Sequence, residues 1–374
     1  MSKIEDLIKQ YCPDGVEWKT VGECVRILDG QRKPITKAAR IAGKYPYYGA
    51  NGVQDYVADY IFDGTYVLIG EDGSVVTPEG CPIVHWVEGK IWVNNHAHVV
   101  EEMPGVSLRY FFYAISNCNV SNLIHGNIPK LNQSDFKAIM IPVPHIAVQD
   151  EIVRILDKFT ELEKELEKEL ELRRKQYEFY RDKLLTFGDD VEYKKIRDVY
   201  TRLRGTPITA GKMKEIADEN GDVRIFAGGK TVINAFEEDI PKANITRVPA
   251  VLVQSRGVID FVYYDKPFTF KNEMWAYTHE NTMSVQYLCY VLKNNAQTFR
   301  NEASGMGSMP QISLSVTEDF EIPVPSPTEQ ERIVKILDKF DALTTSLTSG
   351  IPAEIKLRKQ QYEYYRDYLF GLLN

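Results

Sequence analysis

Most of the chain is written twice, and that duplication restricts the possible fold more than any other feature. IPVPHIAVQDEIVRILDKF (141–159) returns as IPVPSPTEQERIVKILDKF (322–340), an offset of 181. RRKQYEFYRDKLL (173–185) returns as RKQQYEYYRDYLF (358–370), an offset of 185, so the second copy holds four extra residues between its blocks. Shorter echoes lie outside these blocks. VEWKTVGE (16–23) matches VEYKKIRD (191–198), Pro34-Ile35-Thr36 matches Pro207-Ile208-Thr209, and GNIPKL (126–131) matches GSMPQI (307–312). The order is variable domain, similar helix, variable domain, similar helix. It sets expected boundaries of 1–140 and 188–321 for the domains, and of 141–187 and 322–374 for the helical segments.

The prolines of each IPVP remove donors and disfavour helix, so this stretch is predicted to be extended. After it, apolar residues fall at Ile152, Leu156, Phe159, Leu166, Leu170, Tyr177, Tyr180 and Leu184. That spacing is a heptad seam, broken at Glu163 and Arg173. Same-helix pairs such as Glu171–Lys175 are worth only a few tenths of a kcal/mol. A long helix of this kind therefore needs a partner. The second copy offers a matching seam at Ile333, Leu337, Phe340, Leu347, Ile355, Tyr362, Tyr365 and Leu369. Its extra residues include Gly350-Ile351-Pro352, where a stutter and a proline predict a kink. The variable parts hold short β-rich runs (TYVLIG, IVHWV, AVLVQS, FVYY) separated by turn clusters (YGANG, EDGS, AGG, SGMGS). The expected fold class is α+β: two similar mixed α/β domains separated by two long helices in an antiparallel, pseudo-twofold coiled coil.

Composition excludes several classes. No run of 18 apolar residues is present, so no membrane span is expected. The first residues, MSKIEDLIKQYC, lack an apolar signal core, which gives a cytoplasmic expectation. Cys12, Cys24, Cys81, Cys118 and Cys289 are widely spaced and expected to be free thiols. A net charge of −8 does not exclude nucleic acid, because only a binding face must be positive. Residues 26–44 set Arg26, Arg32, Lys33, Lys37, Arg40 and Lys44 against Asp29 alone. Residues 194–214 set Lys194, Lys195, Arg197, Arg202, Arg204, Lys212 and Lys214 against Asp198 alone.

Catalytic signatures fail one by one. Gly205 to Gly211-Lys212 has the wrong spacing for a phosphate loop, with Met213 where Ser or Thr is needed. Pro13-Asp14 near Glu17 and Lys19 crowds its carboxylates into one turn and reads as surface. His96 and His98 would share a strand face but lack a third metal ligand. There is no N-P-P-[YF] tetrapeptide and no glycine-rich methyl-donor loop after a strand. The expectation is a reader without a catalytic or metal site of its own.

The twice-repeated I-P-V-P, Q-[DE]-x-I-V-x-I-L-D-K-F and [KQ]-Q-Y-E-x-Y-R-D blocks resemble those of type I restriction–modification specificity subunits. The resemblance runs through the whole length by way of the repeat. It implies that each variable domain is a target recognition domain reading one half of a split, asymmetric site in double-stranded DNA. It also implies that the helices dock two methyltransferase subunits, and that restriction/motor subunits join for cleavage. The chain itself would then need no cofactor, with S-adenosylmethionine, ATP and Mg carried by those partners.

Charge supplies phosphate affinity and polar loop residues supply base specificity. Arg32, Lys33, Lys37, Arg202, Arg204 and Lys212 are therefore the expected phosphate contacts. Asn51, Gln54, Asn132, Gln133, Gln254, Ser255, Arg256 and Gln311 are the expected base readers. Phe179, Arg181, Tyr364 and Arg366, off the seam, are the expected methyltransferase contacts. The rival reading is a coiled-coil scaffold with protein-binding heads; a second is an autonomous methyltransferase with degenerate motifs.

Overall fold

The computed structural model describes residues 2–73, 75–124, 127–229, 231–304 and 310–373. Gly126 and Gly307-Ser308-Met309 of the GNIPKL/GSMPQI echo, Ser74 of EDGS and residues 305–308 of SGMGS lie outside the described residues. The chain forms two compact units: Met1–Glu167 with Glu354–Asn374, and Lys168–Ala353.

In the first unit the strands are β1 (Glu17–Thr20), β2 (Val25–Ile27), β3 (Ala42–Gly49), β4 (Gly52–Val57), β5 (Phe62–Gly70), β6 (Val84–Val93), β7 (Ala97–Glu102) and β8 (Met140–Val143). Six of them form one sheet in the order β2-β7-β5-β6-β3-β4, antiparallel except for β3 beside β6. The central β5 carries Val67-Leu68-Ile69, buried on both faces, as an apolar run with no alternation requires. The helix Leu108–Ser116 covers one face with Tyr110, Phe111, Tyr113 and Ile115 buried. β1 and β8 pair as a separate ribbon with Trp18 opposite Pro142. A ribbon of two edge strands tolerates the missing proline donor.

The long helix Ile146–Leu185 begins in this unit. It packs against the later part of the C-terminal helix Gly350–Gly371. Phe159 stacks on Tyr365 at 5.2 Å, and Glu163 meets Lys359 at 3.0 Å, so the two segments run antiparallel. Glu163, the polar gap in the seam, is thus filled by an ion pair across the helices. The N-terminal helix Ser2–Tyr11 closes the groove between them. Its Ile4 is buried with Val148, Ile152, Leu156, Leu369 and Phe370. Lys3 donates to Glu151 at 2.9 Å, Tyr368 donates to Glu5 at 3.1 Å, and Tyr11 stacks on His145.

The second unit repeats this frame. Its strands are β9 (Tyr193–Lys195), β10 (Thr201–Arg204), β11 (Val223–Phe226), β12 (Val232–Ala235), β13 (Ala250–Gln254), β14 (Asp260–Tyr264), β15 (Phe268–Phe270), β16 (Trp275–Thr278) and β17 (Glu321–Pro323). They form a four-stranded sheet β10-β16-β13-β14, a three-stranded sheet β12-β11-β15 and the ribbon β17-β9. The ribbon sets Tyr193 opposite Pro323, the register of Trp18 and Pro142. The helix Pro327–Thr345 packs on the end of the long helix, with Phe340 at 6.1 Å from Tyr177 and 5.7 Å from Tyr180.

The repeated motifs fasten each helical segment to its own domain. Tyr110 donates to the Pro142 carbonyl at 2.7 Å, and Tyr287 to the Pro323 carbonyl at 3.2 Å. Tyr113 donates to Asp157 and Tyr290 to Asp338, both at 2.5 Å. Gln149 donates to the Pro144 carbonyl at 2.8 Å, and Gln330 to the Pro325 carbonyl at 2.9 Å. Each LDKF aspartate thus accepts a tyrosine from the domain helix, which explains why that block recurs.

Two expectations need correction. Leu347 is not a seam residue: it is 78% exposed, in the stretch 346–349 where the helix stops. The break precedes Pro352, which falls in the first turn of the C-terminal helix, where a missing N–H costs nothing. Gly350 makes the restart, at φ +78°, where a Cβ would lie 2.5 Å from the Ala342 carbonyl. The second unit also differs from the first in one respect. The second unit has a groove of about 660 Å³ lined by Gln176, Tyr180, Leu184, Ile336 and Phe340. Among its described residues nothing plays the part of the N-terminal helix there. All five cysteines are free, and no helix among the described residues is long and apolar enough to cross a membrane.

Candidate nucleic-acid interface

In the first unit the basic loop after β2 folds inward. Arg32 donates from Nη1 to Glu71 at 2.6 Å and to the Ala97 carbonyl at 2.8 Å, and from Nε to the Asp29 carbonyl at 3.0 Å. Asp29 accepts from Gln133 at 2.8 Å and from the Val99 N–H at 3.0 Å. His98 is fully buried, its Nδ1 2.7 Å from Asp29 and its Nε2 2.9 Å from the Leu131 carbonyl, so both ring nitrogens face acceptor oxygens. Its ring stacks on Phe136 at 4.7 Å. Burial alone would raise the Asp29 carboxyl. The His98 hydrogen bond and charge, with Gln133 and Val99, hold it below its usual range instead. Asp29, Glu71 and His98 come within metal-ligating reach of one another, but Arg32 already supplies the cation there. The two histidines of the H-x-H motif do not act as a pair: His96 bonds Asp72 while His98 joins the buried network.

In the second unit the same place is an open cleft. Trp275 holds the register position of His98, opposite Val253 as His98 is opposite Ile69, and donates to Thr317 at 2.8 Å. Its strand partner on the other side is Arg204. Arg202, Arg204, Asn244, Asn272, Glu273 and Trp275 line a cleft of about 590 Å³. Gly205 borders it because a Cβ there would lie 2.0 Å from the Phe270 carbonyl.

The expected phosphate contacts separate into two groups. Lys33, Lys37 and Arg204 are exposed and carry no ion pair among the described residues. Arg202 meets Glu318 at 3.3 Å and Lys212 meets Glu215 at 2.8 Å, both near the surface. Arg32 has only 12% of its side chain exposed and is committed to the buried network, so its phosphate role does not fit. Of the expected base readers, Asn51, Gln54, Arg256 and Gln311 are exposed, with Gln54 accepting from Asn94 at 3.3 Å. Gln254 and Ser255 are buried, and the Ser255 hydroxyl donates to the Glu273 carbonyl at 2.7 Å. Asn132 caps the short helix Gln133–Ala138 through the Asp135 N–H, and Gln133 serves the Asp29 network. These four positions build the fold rather than offer edges to a base. Asn244 and Asn272 carried no periodic signal. Tyr110/Tyr287 and Tyr113/Tyr290 did, as a further echo at an offset of 177.

Phe179 and Tyr364 occupy equivalent places in the two KQ-Y-E-Y-R-D blocks and are each 63% exposed. Arg181 and Arg366 each pair with the aspartate that follows them, Asp182 and Asp367, and each guanidinium lies over a tyrosine ring, Tyr177 and Tyr362. Of the seam tyrosines beside them, Tyr177 and Tyr180 pack on Phe340 and Tyr365 on Phe159, while Tyr362 packs on Tyr113 of the domain helix.

Two units on one frame, with loops of different charge at equivalent places, define a two-headed recognition protein. The chain belongs to the type I restriction modification DNA specificity domain family, which matches residues 13–172 and again 188–357. A putative type I restriction enzyme specificity subunit of Haemophilus influenzae is 34% identical across 95% of both chains. The EcoR124I/EcoR124II specificity subunit of Escherichia coli is 35% identical across 71% of this chain and 70% of its own. The fold resembles the type I restriction–modification S subunit from M. genitalium, with a TM-score of 0.60, 17% identity and 96% of each chain covered. The protein is a specificity subunit of a type I restriction–modification system, and the family match sets the protein-binding scaffold aside.

Proposed function

We propose that each unit reads one half of a split, asymmetric site in double-stranded DNA, and that the paired helices set the gap between the halves. The observation that carries this is the repeated frame. The same ribbon register, tyrosine locks and glutamine bonds hold two domains whose exposed loops differ. Identical fastening with different faces suits two sequences read at a fixed spacing. Two heads also add their base contacts, each good bidentate pair being worth about 1–3 kcal/mol of discrimination.

In this reading the chain has no catalytic role. Two methyltransferase subunits dock on the helices, with Phe179, Arg181, Tyr364 and Arg366 as their contacts. The equal exposure of the two aromatic positions supports one docking surface presented twice. S-adenosylmethionine belongs to those subunits, and ATP and Mg to a restriction/motor subunit, all acting in the cytoplasm. Lys33, Lys37, Arg202, Arg204 and Lys212 hold phosphates, while Asn51, Gln54, Arg256 and Gln311 face base edges. The test is a gel shift across random DNA with the partner methyltransferase present. A selected motif of two half-sites supports the reading; binding with no sequence preference refutes it.

A further inference from the structure

Both units carry the same loop pair, with opposite chemistry. In the first unit the turn after β5, Glu71-Asp72-Gly73, meets residues 129–131. Asp72 and Lys130 form an antiparallel bridge, Gly73 donates its N–H to Pro129 at 3.0 Å, and Leu131 donates to Glu71 at 2.8 Å. In the second unit the turn after β13, Ser255-Arg256-Gly257, meets residues 310–312. Arg256 and Gln311 form an antiparallel bridge, Gly257 donates to Pro310 at 2.8 Å, and Ile312 donates to Ser255 at 3.0 Å. Three backbone contacts coincide, so Asp72 corresponds to Arg256, Lys130 to Gln311 and Glu71 to Ser255.

The first loop pair is satisfied internally. Lys130 lies 3.3 Å from Glu71, and Asp72 bonds His96. The second is not. Ser255 is buried, and Glu273, the neighbour to which it donates, pairs with Lys271 at 2.8 Å. Arg256 is exposed and has no hydrogen bond or ion pair from its side chain among the described residues. Its backbone is held from two sides, since Gly229 donates to the Arg256 carbonyl at 3.0 Å and Gln311 bridges it on the other. The approach is close: a Cβ on Gly257 would touch the Gly229 Cα at 3.4 Å.

A guanidinium fork on a fixed backbone, without an internal partner among the described residues, matches the O6 and N7 acceptors of guanine in the major groove. A phosphate also accepts this fork, but a phosphate contact carries no base preference, and that difference separates the two. We propose that Arg256 reads a guanine in the half-site of the second unit. The loop pair at Asp72 and Lys130 occupies the same place in the first unit with different chemistry. The proposal rests on the reading above that the second unit recognises one half of a bipartite site.

The experiment uses the full chain in complex with its methyltransferase, as wild type, R256K and R256Q. Methylation is followed across a DNA library with every position of both half-sites randomised. In both variants, preference for guanine at one position of one half-site should fall by about tenfold to a hundredfold. The other half-site and the gap should stay unchanged. Because the Arg256 side chain makes no hydrogen bond or ion pair among the described residues, thermal melting should match wild type. A loss in R256Q that is uniform across all sequences, with base preference unchanged in both variants, would assign Arg256 to a phosphate and overturn the proposal. An unchanged motif at unchanged rate would overturn it as well. If instead the wild-type complex selects no second half-site, the failure lies in the underlying reading and not in Arg256.

Discussion

Gln149 and Gln330 stand at equivalent places in the two repeats, yet they should respond unequally to the same substitution. Gln149 is fully buried and makes three hydrogen bonds. Its oxygen accepts from the Ser107 N–H at 3.0 Å, and its amide donates to the carbonyls of Gly105 at 3.0 Å and Pro144 at 2.8 Å. Gln330 is buried as well but makes one such bond, to Pro325, and its oxygen has no partner among the described residues. Methionine preserves length and removes the polar atoms. Gln149→Met leaves three backbone groups unpaired, but only the Pro144 carbonyl is buried; water can reach the Gly105 carbonyl and the Ser107 N–H in part, so the net cost is on the order of 3 kcal/mol. Gln330→Met leaves one carbonyl unpaired but also removes an unpaired oxygen, so the net cost is about 0–1 kcal/mol. The units hold 188 residues (167 + 21) and 186 residues (168 to 353) and need not unfold together. Hydrogen exchange read by mass spectrometry separates them. Amides of Leu108–Ser116 should lose protection by about a hundredfold in Gln149→Met. Amides of Thr282–Asn294 should change by less than about fivefold in Gln330→Met. Equal losses, or a larger loss in the second unit, would refute the reasoning.

Adding four residues to each helical segment, within 160–172 and the start of the C-terminal helix, advances each helix by about 6 Å and turns it about 40° past a full turn. One base pair advances DNA about 3.4 Å and turns it about 35°. Phase should govern, because bending absorbs a few ångströms more readily than misrotation. The gap between half-sites should therefore lengthen by one base pair with both sequences kept, and methylome sequencing of the variant checks this. Residues 1–187 alone should dimerise and, with the methyltransferase, select a palindrome, since a second copy restores a helix pair with true twofold symmetry. A monomer by sedimentation at micromolar concentration, or a retained asymmetric target, counts against that. The purified chain, free of partners, should transfer no methyl group from labelled S-adenosylmethionine to DNA, and robust transfer would contradict the non-catalytic reading.

The heptad seam and the IPVP prolines made the helices and their entry strands legible, because 3.6-residue periodicity and missing donors are local signals. The seam failed at Leu347 because a heptad count passes through a break that depends on Gly350 adopting a left-handed backbone, a conformation that spacing alone does not encode. The candidate surface was less legible still. Arg32 looked like a free cation beside Lys33 and Lys37, and only the folded chain brings Glu71 and Asp29 to it. Ser255 and Gln254 looked like exposed loop residues, but Gln254 ends β13 and Ser255 follows directly, and both are buried. Arg256 kept its expected exposure because it sits at the tip of the turn. The correspondence of Asp72 with Arg256 rests on backbone pairing across long sequence separations, which is where sequence reading stopped.

The central claim, that two differently charged heads on one frame read two half-sites, meets its most direct test in base-resolution mapping of methylation in cells carrying the whole system. The account predicts one motif of two unlike half-sites at a fixed gap, with only the half-site of the second unit altered when residues 188–321 are exchanged for those of a relative. A continuous palindrome, or a change in both half-sites on that exchange, would contradict it.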